Sequence, residues 1–417
     1  VLSAWLDAFN SGDKAQLERF DATYDGHDPN KVENQQRFRA QTGGFDLVGI
    51  RKSTATYLEY MAKERASGRE AVGMLEVTDA ASPRIVSTQM RLVGPGASVV
   101  GFEVDAATHK RVIAGVIEKL NQNYVFPETA AKMEVALRKA EKRGDFKKIA
   151  YGDQFAKLLT TQLQDVSHDR HLRVNFDPVA TPVIPMTAGP PPAATEEERQ
   201  WLLGDNCGFE KVERLPGNVG YVKLNQFGDP DVCRDIAAAA IAFVANADAV
   251  IFDMRENGGG RPQMVSFLTS YLFAERTHLN DFWTRTGGVV QESWTTADVP
   301  GKKITTQPVY VLTAKRTFSG AEEFSYNLKH LKRATIVGEV TGGGAHPVRG
   351  QRIDERFSIG VPDARPINAV TKTNWEGTGV EPDVKVPAAD ALATAQKLAA
   401  ERVGAERVGK ASKPAGS

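Results

Sequence analysis

Beyond residue 215 the chain alternates between short apolar runs and amphipathic stretches, and this alternation restricts the fold more than any other feature of the sequence. Residues 219–224, 249–253, 309–313 and 335–337 read as strands, and residues 232–244, 264–273 and 321–331 between them have helical spacing. Strand, helix, strand in repetition predicts an α/β core.

The 417 residues leave room for more than this core. At roughly 100–200 residues per domain they correspond to two to four domains. Residues 1–100 open with Leu2, Trp5, Leu6 and Phe9 at helical spacing, stop at Asn10-Ser11-Gly12-Asp13, and resume at Leu17 and Phe20. Strand-like pieces follow at 45–50, 71–77 and 85–93, with a helix expected around Tyr57 to Glu64, which together make a small α+β domain. Residues 105–180 carry helical stripes, one through Val112, Ile113, Val116, Ile117 and Leu120 and another through Phe155, Leu159 and Leu163, so a helical bundle is expected. A Pro-rich connector, 189–194, precedes Thr195, a candidate cap for a short acidic helix. The α/β core then occupies 200–395, and 398–417 read as a flexible tail.

Composition removes several function classes. Lys+Arg and Asp+Glu are 52 each, so no global field attracts an anionic polymer and no nucleic-acid partner is expected. No apolar run approaches the roughly 18 residues of a membrane span. Cys207 and Cys233 are the only cysteines and allow at most one bridge. Val1 stands where a Met would open a nascent chain, and a removed leader is one expectation it leaves.

Two loops could carry chemistry. Asp253-Met254-Arg255-Glu256-Asn257-Gly258-Gly259-Gly260 leaves a strand and enters a helix, and its glycines could turn backbone N–H groups toward an oxyanion. It lacks the endings of a phosphate loop and the glycine spacing of a dinucleotide fingerprint. Thr317-Phe318-Ser319-Gly320-Ala321-Glu322-Glu323 also joins a strand to a helix, so Ser319 is a candidate nucleophile with the Gly320 amide beside it. An N-cap is the commonest task for serine at such a place. The surrounding residues are not the Gly-x-Ser-x-Gly of an α/β-hydrolase elbow.

A serine nucleophile needs a base. His168 and His171 lie in Asp165-Val166-Ser167-His168-Asp169-Arg170-His171-Leu172, where a helical stripe gives way to an alternating strand, and His346 follows Gly342-Gly343-Gly344-Ala345. Glu376, in Asn374-Trp375-Glu376-Gly377, is a candidate carboxylate for holding the base. No histidine pair is joined at ligand spacing by a third ligand of the right kind, so neither a metal nor a cofactor is expected.

Taken together these segments resemble the tail-specific (C-terminal-processing) serine peptidases. The resemblance rests on Gly217 to Leu224, the Asp-x-Arg-x-Asn-x-Gly-Gly run at 253–260, Thr-x-Ser-Gly-Ala-Glu at 317–322, Val337-Gly338-Glu339-Val340-Thr341, and Gly379-Val380-Glu381-Pro382-Asp383, in order across about 105–395. It implies a spiral core like that of Clp protease and crotonase. Many members use a Ser–Lys dyad, but Gly344 stands where that lysine would be. The chain instead resembles the branch of the tricorn core protease and the interphotoreceptor retinoid-binding protein, which also accounts for Tyr124-Val125-Phe126-Pro127 and Asp169-Arg170-His171-Leu172. That branch implies Ser319 as nucleophile, His171 as base (with His168 and His346 as alternatives), Glu376 as its support, and amides of Gly258 or Gly259 with Gly320 as the oxyanion hole.

The function so implied is hydrolysis of peptide bonds in polypeptides through an acyl-enzyme, in a periplasmic or secreted setting and compatible with a homo-oligomer. The competing reading is a binding protein for an apolar small molecule on the same scaffold. Ala8 to Asp13 resembles the first helix of the nuclear transport factor 2-like cone domains, which implies that architecture for residues 1–100.

Overall fold

The computed structural model describes residues 1–26, 29–94, 96–181, 194–285, 288 and 290–411. Three helices come first, α1 (Leu2–Ser11), α2 (Lys14–Tyr24) and α3 (Pro29–Thr42). Gly12 ends α1 at φ 71°, and Asp13 starts α2 by accepting from the Ala15 N–H at 2.8 Å. Strands β1 (Phe45–Ser53), β2 (Tyr57–Glu64), β3 (Glu70–Val77) and β4 (Ile85–Leu92) form an antiparallel sheet in that order.

The segment expected as a helix at Tyr57 to Glu64 is therefore a strand. Tyr57, Tyr60, Met61 and Glu64 imitate i, i+3, i+4, i+7 spacing, but the sheet is covered on both faces. Tyr60, Ala62, Ala71 and Leu75 face the first helices, whereas Tyr57, Val72 and Met74 face the next unit. Glu59 and Glu64 are buried beside Arg51 and Arg69, at 3.0 and 3.3 Å, which hides the alternation that would have marked a strand.

After β5 (Ser98–Val99) come α4 (Ala106–Asn123), α5 (Pro127–Arg143) and α6 (Gly152–Ser167), whose apolar stripes meet in one core. Strands β6 (Arg173–Phe176) and β7 (Val179–Ala180) follow, and most of the Pro-rich connector lies outside the described residues. Helix α7 (Glu196–Gly204) begins with a capping box in which Thr195 N–H donates to Glu198 at 2.8 Å and Glu198 N–H donates to Thr195 at 3.2 Å.

The remaining chain runs β8 (Phe209–Leu215), β9 (Val219–Leu224), α8 (Pro230–Val244), β10 (Ala249–Asp253), α9 (Pro262–Ser270), β11 (His278–Thr284), β12 (Val290–Trp294), β13 (Val309–Thr313), α10 (Gly320–His330), β14 (Thr335–Gly338), β15 (Val348–Arg352), β16 (Phe357–Pro362), β17 (Ala364–Asn368), β18 (Val384–Lys385) and α11 (Ala391–Ala411). Six strands form a sheet in the order β18-β14-β13-β10-β9-β8, parallel except for β8. Every residue of β10 and β13 is buried, because α8, α9 and α10 cover one face and α11 the other. Residues 398–411, expected as tail, are the last turns of α11, and Ala399 and Val403 are buried because they continue the stripe of Ala391 and Ala395.

Two long-range links bring the site together. Strand β16 pairs with both β15 and β6, which draws the loop after α6 against the core. A disulfide joins Cys207 to Cys233 and ties the approach to β8 to the first turns of α8.

Candidate active site

The site forms where β9, β10 and β13 end, the edge of a parallel sheet at which loops gather. After β10 the polar residues of the 253–260 run are structural fasteners. Asp253 accepts from Tyr221 Oη at 2.7 Å and from Arg255 Nε at 2.9 Å, and Arg255 also donates to Ala388 O at 2.8 Å. Burial pushes the Asp253 carboxyl up, but the Arg255 and Tyr221 hydrogen bonds outweigh it and hold it below the usual range. Asn257 Nδ2 donates to Leu224 O at 2.8 Å, and its Oδ1 accepts from Gly259 N–H at 2.8 Å.

This loop passes directly beneath Ser319. A Cβ on Gly259, whose φ is 106°, would stand 2.7 Å from both the Ser319 Cβ and the Gly320 nitrogen, so only glycine fits. From the other side, Thr317 Oγ1 donates to Met254 O at 2.8 Å and Phe318 N–H donates to Asn257 O at 3.0 Å. Ser319 takes the N-cap position of α10 at φ 52°, ψ −119°. An ordinary N-cap residue is extended, and a non-glycine residue held in this region costs about 1–3 kcal/mol.

Gly320 is the first residue of α10, where an N–H has no partner within the helix. The other two glycines expected to bind an oxyanion have committed amides. Gly258 N–H donates to Asn225 O at 3.3 Å and Gly259 N–H to the Asn257 side chain.

The histidines divide into three situations. His168 is exposed at the left-handed C-cap of α6, with φ 56°. His171 is largely buried, its ring 4.7 Å from that of Phe318, and its Nδ1 has no hydrogen-bond partner among the described residues. Burial lowers its pKa to about 4, against the attraction of Asp169, which raises it. His346 is buried against Phe126, its Nδ1 3.3 Å from Asp169 Oδ2 and 3.4 Å from Glu376 Oε2.

Among the described residues Glu376 reaches His346 rather than His171. Its Oε2 accepts from Ala345 N–H at 2.6 Å and His346 N–H at 3.3 Å. Burial raises Glu376 to about 7, opposed by His346 and reinforced by Asp169. Asp169 is the carboxylate shared by both histidines. It accepts from Tyr124 Oη at 3.1 Å and from His171 N–H at 3.0 Å. Burial pushes Asp169 up, but His346 and His171 outweigh it and hold it below the usual range. Asp169, His346 and Glu376 offer ligand atoms within 4.8 Å of one another, a spacing a cation could use. With the ring nitrogen at hydrogen-bonding distance from both carboxylates, the group also closes on itself without one.

Residues 218–386 match peptidase family S41, and residues 106–201 match the N-terminal domain of peptidase S41 in eukaryotic IRBP. The chain carries a peptidase S41 domain at 218–386. The chloroplastic carboxyl-terminal-processing peptidase 2 of Arabidopsis thaliana is 27% identical over 186 residues, 42% of this chain and 34% of its own length. The carboxyl-terminal-processing protease of Synechocystis sp. is 33% identical over 147 residues, 35% of this chain and 33% of its own. The chain thus spans about a third of the length of these curated relatives. A solved photosystem II D1 C-terminal processing protease is 15% identical with a TM-score of 0.42, covering 68% of this chain and 94% of that one.

Gly344, the residue expected to stand in place of a dyad lysine, has no room for a side chain. A Cβ on Gly344 would lie 2.6 Å from His171 Cε1 and 2.2 Å from Phe318 Cζ. The imidazole fills the space a lysine stem would need. Asp169 and Glu322 are not among the residues expected at the site, although each has a local signal: Asp169 lies two residues before His171, and Glu322 three residues after Ser319.

Proposed function

We propose that the chain is a serine peptidase in which Ser319 attacks the carbonyl carbon of a peptide bond, His171 takes the hydroxyl proton, and Asp169 steadies the imidazolium. The tetrahedral oxyanion is received by the Gly320 amide, the protonated imidazole then gives its proton to the leaving amine, and water hydrolyses the acyl-enzyme. Glu376 and His346 brace the loop beneath this set through Ala345. For Gly259 to supply a second oxyanion donor, Asn257 must release its N–H.

The observation that carries the reading is the φ 52°, ψ −119° conformation of Ser319 above the glycine loop, which simple helix capping does not call for. The burial of His171 keeps its ring neutral, as a proton acceptor requires. Two relatives are named for carboxyl-terminal processing, which supports carboxyl-terminal segments of polypeptides as substrate. The apolar-ligand reading is not favoured. The cleft of about 580 Å³ between α3 and the strand ends is lined by Arg37, Glu210, Lys223, Arg255 and Glu256, so it is charged.

No helix among the described residues is long and apolar enough to cross a membrane. The Cys207–Cys233 disulfide supports an oxidising compartment such as the periplasm or cell exterior. Residues 1–100, 105–180 and 200–395 are read as three units, the first docking substrates for the third.

A fluorophosphonate probe should label Ser319, and Ser319→Ala should end cleavage of an unstructured polypeptide with the fold intact. Undiminished cleavage by that variant would refute the assignment.

A further inference from the structure

Glu322 is fully buried in the first turn of α10, and four donors converge on its carboxylate. Oε2 accepts from Ser319 N–H at 2.8 Å and from Gly344 N–H at 2.8 Å. Oε1 accepts from Gly343 N–H at 2.6 Å and from Thr341 Oγ1 at 2.5 Å. A capping-box glutamate needs only the first of these bonds and ordinarily sits at a solvated helix end. Here both oxygens are saturated, and three of the four donors come from a loop about twenty residues further along the chain.

We infer that Glu322 is a positioning residue that sets the distance between the nucleophile and its base. One oxygen holds the backbone of Ser319 and that of Gly344 together, and Gly344 is packed against His171 and Phe318. Displacing the carboxylate therefore moves the serine and the imidazole relative to one another. The 341–344 loop has further ties of its own, since Trp375 Nε1 donates to Gly344 O at 2.8 Å and Arg170 donates to Gly342 O at 3.0 Å. The loop should thus keep its general course when Glu322 is altered, while losing its register with Ser319. The bond from Ser319 N–H to Glu322 also helps to hold Ser319 in its strained backbone conformation.

The inference rests on Ser319 being the nucleophile, and its test separates the two ideas. Glu322→Gln keeps the shape but turns one acceptor into an amide donor, so two of the four donors meet another donor. In the full chain, well below its unfolding temperature, this variant should lower kcat and the rate of Ser319 fluorophosphonate labelling together by about 10²-fold, the cost of a misplacement near 1 Å. The KM for a polypeptide should change little, since no substrate contact is removed. Thr341→Val, which at constant shape removes one donor to Glu322 and the acceptor of the Val380 N–H, should show the same split at about tenfold, whereas a change in stability without the split would trace to Val380. If Glu322→Gln fails to fold, Thr341→Val decides: unchanged kcat and labelling overturn the inference. Wild-type chain labelled at Ser319 together with an unimpaired Glu322→Gln overturns it alone. Wild-type chain that cannot be labelled at Ser319 removes the nucleophile assignment and this inference with it.

Discussion

The backbone N–H of His171 donates to Asp169 Oδ1 at 3.0 Å, and the same oxygen lies 3.9 Å from the ring nitrogen Nδ1. A carboxylate two residues before a histidine thus holds both its main chain and, once the ring is protonated, its charge. Glu376, the carboxylate expected from the sequence in that role, faces His346 instead.

Asp169→Asn is expected to reduce kcat at least tenfold more than Glu376→Gln, because only Asp169 adjoins His171. Loss of its charge beside Tyr124 and His346 should also cost about 1–3 kcal/mol of stability. Steady-state kinetics and urea unfolding of both variants check this, and equal kinetic defects would count against Asp169.

Gly344→Ala should impair the enzyme although it adds one methyl group. The new Cβ would overlap His171 Cε1 and the Phe318 ring, and overpacking of this kind costs about 1–3 kcal/mol. Labelling of Ser319 should slow more than the melting temperature falls. For the same reason Gly344→Lys should not create a working dyad.

The pH dependence has two opposed components. His171 has a pKa of about 4 in the fold against 6.5 free, so between these values the unfolded chain binds the proton better; this contribution to stability is lost as pH falls from 6.5 to 4. Glu376 is shifted from 4.5 to about 7, so the folded chain keeps a proton that the unfolded chain releases; that contribution is complete below 4.5 and lost as pH rises through 7. Glu376→Gln should therefore show a melting temperature that climbs more steeply with pH between 4.5 and 7 than wild type. The acid limb of Ser319 labelling should lie below pH 6.5. A limb at 6.5 or above would mean His171 is not the base.

Removing the disulfide should weaken the fold and, secondarily, catalysis. Breaking a bridge typically costs about 2–4 kcal/mol. A Cβ on Gly228 would lie 2.6 Å from Cys233 Sγ, and Phe227 N–H donates to Gly259 O at 2.8 Å, so the bridge packs behind the strand end that supports the glycine loop. Cys207→Ser with Cys233→Ser should lower the urea midpoint and reduce kcat; an unchanged midpoint would show the bridge to be dispensable.

Much of the core was legible because its signals are local. Strands 249–253 and 309–313 are continuous apolar runs, as strands covered on both faces must be, and each leads into a loop whose residue types announce a turn into a helix. Tyr57 to Glu64 reads as a helix for the same physical cause acting in reverse: a strand buried on both faces, with its glutamates paired to arginines, has no alternation left to read.

The sequence by itself carried the α/β alternation, the position of Ser319 between a strand and a helix, the few histidines that could act as its base, and a glycine at residue 344. Which carboxylate serves which histidine was decided only by tertiary structure. Residues 169 and 346 are 177 positions apart, and they meet because β6 and β15 flank the same strand, β16. Such contacts depend on strand pairing and on burial, and neither leaves a mark within any short stretch of chain.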